Sequence, residues 1–155
     1  MAQWLINSGT VILSFLTMEC VAWFAHKYIM HGLLWKLHKD HHVPDHDNKF
    51  EHNDFFFIIF ATPAIICFII GFNDLSIPFW IAIGITLYGM AYFFIHDLFI
   101  HQRIKVLRNA NSSYFRAIRK AHKVHHKHLG KEEGECFGML WAPLKYFKEV
   151  RKNAG

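Results

Sequence analysis

Thirteen of the 155 residues are histidine, and ten of them fall into two spacings that each occur twice. His26 and His31 form an HxxxxH pair, and His38, His41 and His42 an HxxHH triplet; the patterns return as His96/His101 and His122/His125/His126. Neutral imidazole is the commonest side-chain metal ligand, so a repeated spacing of this kind points to metal chemistry. Ten rings exceed the needs of one ion, since zinc takes about four ligands, and two metals at about five nitrogens each fit the count. No cysteine lies within the four motifs, which argues against zinc-finger and iron–sulfur sites. Imidazole alone suits zinc, copper, iron or nickel, so ligand type by itself does not select the metal. His46, His52 and His128 stand outside the pattern and read as surface residues.

Spacing also constrains how the rings can meet. On an α-helix, His38, His41 and His42 share one face, as do His122, His125 and His126. The HxxxxH pairs do not: five steps at ~3.6 residues per turn leave the two rings about 140° apart. Either the helix is locally distorted, or each pair serves two metals or reaches two neighbouring helices. Glu19 precedes His26 by seven residues, close to two turns, and so shares its face. A carboxylate there reads as a hydrogen-bond acceptor behind the His26 ring, with a snorkelling acid as the plainer alternative.

The elements that must position these residues are apolar and long. Residues 4–24 form a run in which Glu19 is the one acid, and residues 55–72 and 78–95 contain no charge. As helices these measure ~31 Å and ~27 Å, enough to cross a hydrocarbon core of ~30 Å. Residues 73–77 make a tight turn between the last two, Pro78 suits a first helical turn, and Pro63 predicts a kink. All 17 Lys and Arg lie within residues 25–54 or after His96. By the positive-inside rule those segments are cytoplasmic, giving an N-out, C-in topology with all ten motif histidines on the cytoplasmic side. The expected fold is all-α and integral to the membrane: one domain of three transmembrane helices with a cytoplasmic, histidine-rich helical cap. A fourth, partial insertion near Tyr28–Trp35 stays open. Cys20, Cys67 and Cys136 read as inert small hydrophobes, and the first apolar run lacks the marks of a cleaved signal peptide.

The stretches MECVAWFAHKYIMHG, HKDHH, FEHNDFF, FFIHDLFIHQR and AHKVHHKH, in that order, resemble the β-carotene 3-hydroxylases of the membrane fatty-acid-hydroxylase and sterol-desaturase superfamily over roughly residues 10–140. The resemblance implies a bacterial inner-membrane oxygenase with two iron ions, using O2 and electrons from reduced ferredoxin or a similar carrier. It implies His26, His31, His38, His41, His42, His96, His101, His122, His125 and His126 as the ligands. It further implies that Asn53 and Asp54, within a matching stretch that includes Glu51, support the site; His52 is not carried over. The implied reaction is hydroxylation of β-carotene at ring carbon 3, to cryptoxanthin and zeaxanthin, in carotenoid biosynthesis. The implied surroundings are the lipid bilayer and the electron carrier, with no nucleic acid.

Two other readings compete. A related desaturase or ketolase acting on a lipid would need the same histidines, because they specify oxygen activation better than regiochemistry. A membrane metal transporter or storage protein would want ionisable residues at mid-bilayer depth, and residues 55–95 offer none. The basic segments suit an acidic electron carrier or anionic head groups, and the positive-inside bias alone also explains them.

Overall fold

The computed structural model describes residues 2–43, 50–105, 107 and 109–153, all of whose regular elements are helical. His46, assigned above to the surface, lies outside the described residues. Helix α1 (Ala2–Phe24) runs without a break into a π-helical segment, Ala25–Leu33, followed by the short α2 (Trp35–His42). A single 3₁₀ turn, His52–Asp54, leads into α3 (Phe55–Gly71). Helix α4 (Ile77–Phe93) again continues into a π segment, Phe94–Ile100, and α5 (Ser113–His125) and α6 (Leu144–Lys152) complete the chain.

Three of these helices are long and apolar enough to cross a membrane: Ala2–Leu33, His52–Gly71 and Ile77–Ile100. The hydropathy reading, at residues 4–24, 55–72 and 78–95, found all three but stopped the first and third before their π segments and began the second after its 3₁₀ turn, because those stretches carry the polar residues of the histidine region. Helix α4 packs between α1 and α3. Small residues permit that closeness: a Cβ on Gly84 would sit 2.6 Å from the Val11 carbonyl oxygen of α1, and one on Gly71 would sit 2.3 Å from the Phe79 nitrogen. The α3–α4 turn places Leu75 in the left-handed region at φ 48°, and its carbonyl accepts from Trp80 Nε1 at 2.9 Å. Helix α3 runs through Pro63 as one element rather than dividing there. Apolar side chains such as Leu13, Phe57 and Ile69 cover the outside of the bundle, the inverse of a water-soluble domain and the pattern a bilayer demands.

Helix α5 is amphipathic. Ala117, Ile118, Ala121, His122 and His125 form its buried face, and the Ser112 hydroxyl caps its start by accepting from the Phe115 N–H. Its apolar half packs on Ala142, Tyr146 and Val150, so α6 fixes α5 from behind while the histidines of α5 face the other way.

Candidate metal centre

His26 and His31 lie on the first π segment, and His96 lies on the second with His101 as the residue that ends it, which selects local distortion among the alternatives left by the spacing. A π turn bonds residue i to i+5 and so brings those two positions together, and His101 N–H donates to the His96 carbonyl at 2.9 Å. The paired rings consequently lie side by side, with centroids 5.2 Å apart for His26/His31 and 4.5 Å for His96/His101. π turns are rare and frequent at functional sites, and here their effect is to let one helix offer two rings to one place.

Nitrogen atoms of His26, His31, His38, His42 and His125 lie within 4.8 Å of one another and form a first cluster; those of His41, His96, His101 and His122 form a second. His126 adjoins the second, its Nε2 2.8 Å from that of His122, while its ring stacks on His42 of the first at 4.6 Å. Each HxxxxH pair thus stays within one cluster, whereas the triplets on α2 and α5 contribute to both. Eight of the ten rings are buried, and His101 and His126 are half-buried.

The hydrogen bonds fix which nitrogen is free. In the first cluster every Nδ1 faces an oxygen that can only accept: Phe137 O for His26 at 3.0 Å, Lys131 O for His31 at 3.2 Å, and Asn53 Oδ1 for His38 at 2.6 Å. His42 donates to His128 O at 3.0 Å and His125 to Glu135 O at 2.9 Å. With the proton on Nδ1, each Nε2 carries a bare lone pair. Yet these atoms face each other, His26 to His38 at 3.1 Å and His31 to His125 at 3.3 Å, and the buried Nε2 of His42 has no partner. Protonation offers little relief: burial pushes the pKa of His38 down to about 3 and that of His42 down to about 4, and lowers that of His125. Five buried lone pairs aimed at one point, without a proton between them, suit a bound cation and little else.

The second cluster is supported differently. His41 Nδ1 donates to Glu51 Oε2 at 2.8 Å, and His96 Nδ1 faces Asp97 Oδ2 at 3.5 Å. Arg103 holds both acids, reaching Glu51 at 3.0 Å, Asp97 at 3.2 Å and Asp54 at 2.8 Å. Burial raises the Glu51 carboxyl while the guanidinium opposes that rise. Here too Nε2 atoms abut, His41 to His96 at 3.0 Å and His101 to His122 at 2.9 Å. Burial depresses His41, His101 and His122 strongly and takes His126 down to about 3.

Of the expected supports, Asn53 touches His38, whereas Asp54 bonds to Arg103 and to the Glu51 N–H and, among the described residues, to no histidine ring. Glu19 does not reach His26. Seven residues rise ~10 Å along a helix, beyond a carboxylate's reach, and the Phe137 carbonyl holds that ring instead. His52 lies at the surface against Asp40, and His128 contributes its carbonyl. Glu51, Asp97 and Arg103 were not assigned roles from sequence, although Asp97 adjoins His96 and Arg103 follows His101 by two residues. The backbone carbonyls had no sequence signal at all.

A cavity of about 570 Å³ lies among α1, α3 and α4. Met18, Phe56, Phe60, Ile85 and Tyr88 contribute apolar wall, and Asn53, His96 and Asp97 form its histidine end. Phe57, Ile65 and Met90 line it while also being exposed on the bundle's outer surface, so it opens sideways toward where lipid would lie.

Residues 11–144 match the fatty acid hydroxylase family model. A protein named beta-carotene hydroxylase from Paracoccus sp. (strain PC1) is 40% identical over all of this chain and 94% of its own length. Another of that name from Pseudescherichia vulneris is 40% identical over 89% of this chain and 78% of its own. Beta-carotene hydroxylase 1, chloroplastic, from Capsicum annuum is 42% identical over 86% of this chain, which corresponds to 42% of that longer protein. No solved structure matches the chain. The matched segment contains all four histidine motifs, the second and third spans and most of the first, and the chain belongs to the fatty acid hydroxylase family.

Proposed function

We propose that the chain is a single membrane-embedded domain that hydroxylates β-carotene at ring carbon 3, giving cryptoxanthin and then zeaxanthin, with a non-haem di-iron centre. The observation that carries this reading is the junction of a buried, converging donor set with a hydrocarbon cavity that ends on it. The names of relatives about 40% identical over most of the chain supply the substrate.

In this reading His26, His31, His38, His42 and His125 hold one iron, and His41, His96, His101 and His122, with His126, hold the other. Iron, when bound, supplies the O2-dependent oxidising power that an unactivated ring C–H bond requires, with electrons from a reduced ferredoxin-type carrier. The protein's own side chains do the positioning. Phe56, Phe60 and Met18 offer a β-ionone ring an apolar wall to slide along from the bilayer, excluding water from its path. His96 and Asp97 in the cavity wall place a ring bound there beside the second cluster, with the polyene left in lipid. Asn53 and the backbone carbonyls of His128, Lys131, Glu135 and Phe137 keep the first-cluster rings in the tautomer that exposes Nε2, and Glu51 and Asp97 do the same for His41 and His96. The basic segments face the cytoplasm across the inner membrane and present an acidic electron carrier with a complementary surface.

The test is expression in bacterial cells that already make β-carotene, with pigment analysed by chromatography and mass spectrometry. Hydroxylation leaves the polyene intact, so colour should barely change while mass and polarity rise in two steps. A reddened product would indicate a ketolase, and loss of hydrogen without gain of oxygen a desaturase. Unaltered β-carotene in aerated, iron-replete cells with an active ferredoxin system would overturn the substrate assignment.

A further inference from the structure

The residues between α5 and α6 form a strap over the first cluster. Lys131, Glu135 and Phe137 give their carbonyls to His31, His125 and His26, and the Phe137 ring lies edge-on to all three, with centroids 5.2–5.4 Å away. Carbonyl acceptors orient rings only as well as their own backbone is fixed, and this strap has no helix to fix it.

Its anchor comes from α1. Glu19 Oε1 accepts three successive backbone N–H groups, from Met139, Leu140 and Trp141, each at 3.0 Å. Its Oε2 accepts from the Tyr88 hydroxyl of α4 at 2.7 Å. Both oxygens act only as acceptors toward four donors, a pattern that satisfies an ionised carboxylate within an apolar span. The fit is close. A Cβ on Gly138 would lie 2.9 Å from Glu19 Oε1, and Cys136, just upstream, takes a left-handed φ of 64°.

We propose that Glu19 is a positioning residue: an intramembrane carboxylate that latches the strap through Met139–Trp141 and thereby sets the carbonyls that orient His26 and His125. It acts on the first cluster alone, because the second takes its orientation from Glu51, Asp97 and Arg103. A neutral amide can still accept through its oxygen, whereas a hydrocarbon side chain leaves three N–H groups unpaired.

The inference rests on the first cluster being a metal site, so the experiment has one arm that does not. In the full-length, metal-free protein in nanodiscs, amide hydrogen exchange at residues 139–141 should speed up by at least about tenfold in Glu19→Leu and by much less in Glu19→Gln. Unchanged exchange in Glu19→Leu would overturn the latch whatever the metal result. In the second arm, cobalt(II) is titrated into the same proteins and read by its visible absorption. Glu19→Leu should lose the bands of one site and keep those of the other, with Glu19→Gln restoring both. Full cobalt binding in a Glu19→Leu protein whose strap has loosened would overturn the positioning role. Equal loss of both sites would do so too, as the mark of general misfolding. Tyr88→Phe, which keeps the acid and the packing, should raise strap exchange modestly with both sites retained; loss of the first site there would contradict an anchor centred on the three backbone donors. A wild-type protein that binds no cobalt would instead sink the metal-site reading and leave the latch to the exchange arm.

Discussion

The two histidine clusters use the same ring chemistry but are held from behind by opposite means. The first leans on neutral oxygens, four backbone carbonyls and the Asn53 amide; the carbonyls lie 86–111 residues from His26, His31 and His42 in sequence, and 10 from His125. The second leans on the carboxylates of Glu51 and Asp97, tied together by Arg103. A carboxylate behind an imidazole raises its basicity and offsets cationic charge, whereas a carbonyl orients it with little change in charge. Two metals held this way would not be equivalent. The first site depends on where the backbone goes, and the second on which side chains are present.

The largest expected effect breaks both sides of that comparison at once. His125→Ala and His41→Ala each remove a converging donor, one per cluster, and each should abolish carotene conversion while the protein still inserts into the membrane. Appreciable activity in either variant would remove that ring from the site. A smaller effect separates the clusters. Arg103→Gln frees Glu51, Asp54 and Asp97 together and should lower metal affinity at the second cluster by ~10–100-fold, leaving the first unchanged. Metal titrations on the purified variant check this, and equal weakening of both clusters would contradict separate support.

A separate effect is on stability and concerns both clusters. His38, His42 and His126 have pKa values lowered to about 3, about 4 and about 3, chiefly by burial. Unfolded histidine titrates near ~6.5, so below that pH the unfolded chain binds more protons than the native one. Stability of the metal-free protein is therefore greatest above about pH 6.5 and falls as pH drops through the range between the two pKa values. Melting temperatures in detergent across that range check the sign; a flat profile would mean the rings are not buried as described.

Much of the centre is legible in the residues themselves. Ten histidines in two repeated spacings announce metal ligation, and three uncharged or nearly uncharged runs announce the spans. The π turns could be framed only as one alternative, because an HxxxxH spacing does not say whether a helix widens or two helices share the rings. Glu19 stands out as an acid in an apolar run, but three of its four partners are backbone N–H groups some 120 residues away, which every residue except proline possesses. The same blindness hid the strap carbonyls. Asp97 and Arg103 were different: they adjoin the HxxxxH pair, yet a charged residue beside a basic segment is so common that nothing singled them out.

The most direct test of the account is iron stoichiometry in wild-type protein purified without added metal or chelator, with iron, zinc and protein quantified on one sample. About two irons per chain are predicted from the two donor sets, falling toward about one in Arg103→Gln as the second cluster empties. One zinc with no iron, or full activity in iron-free protein, would contradict it.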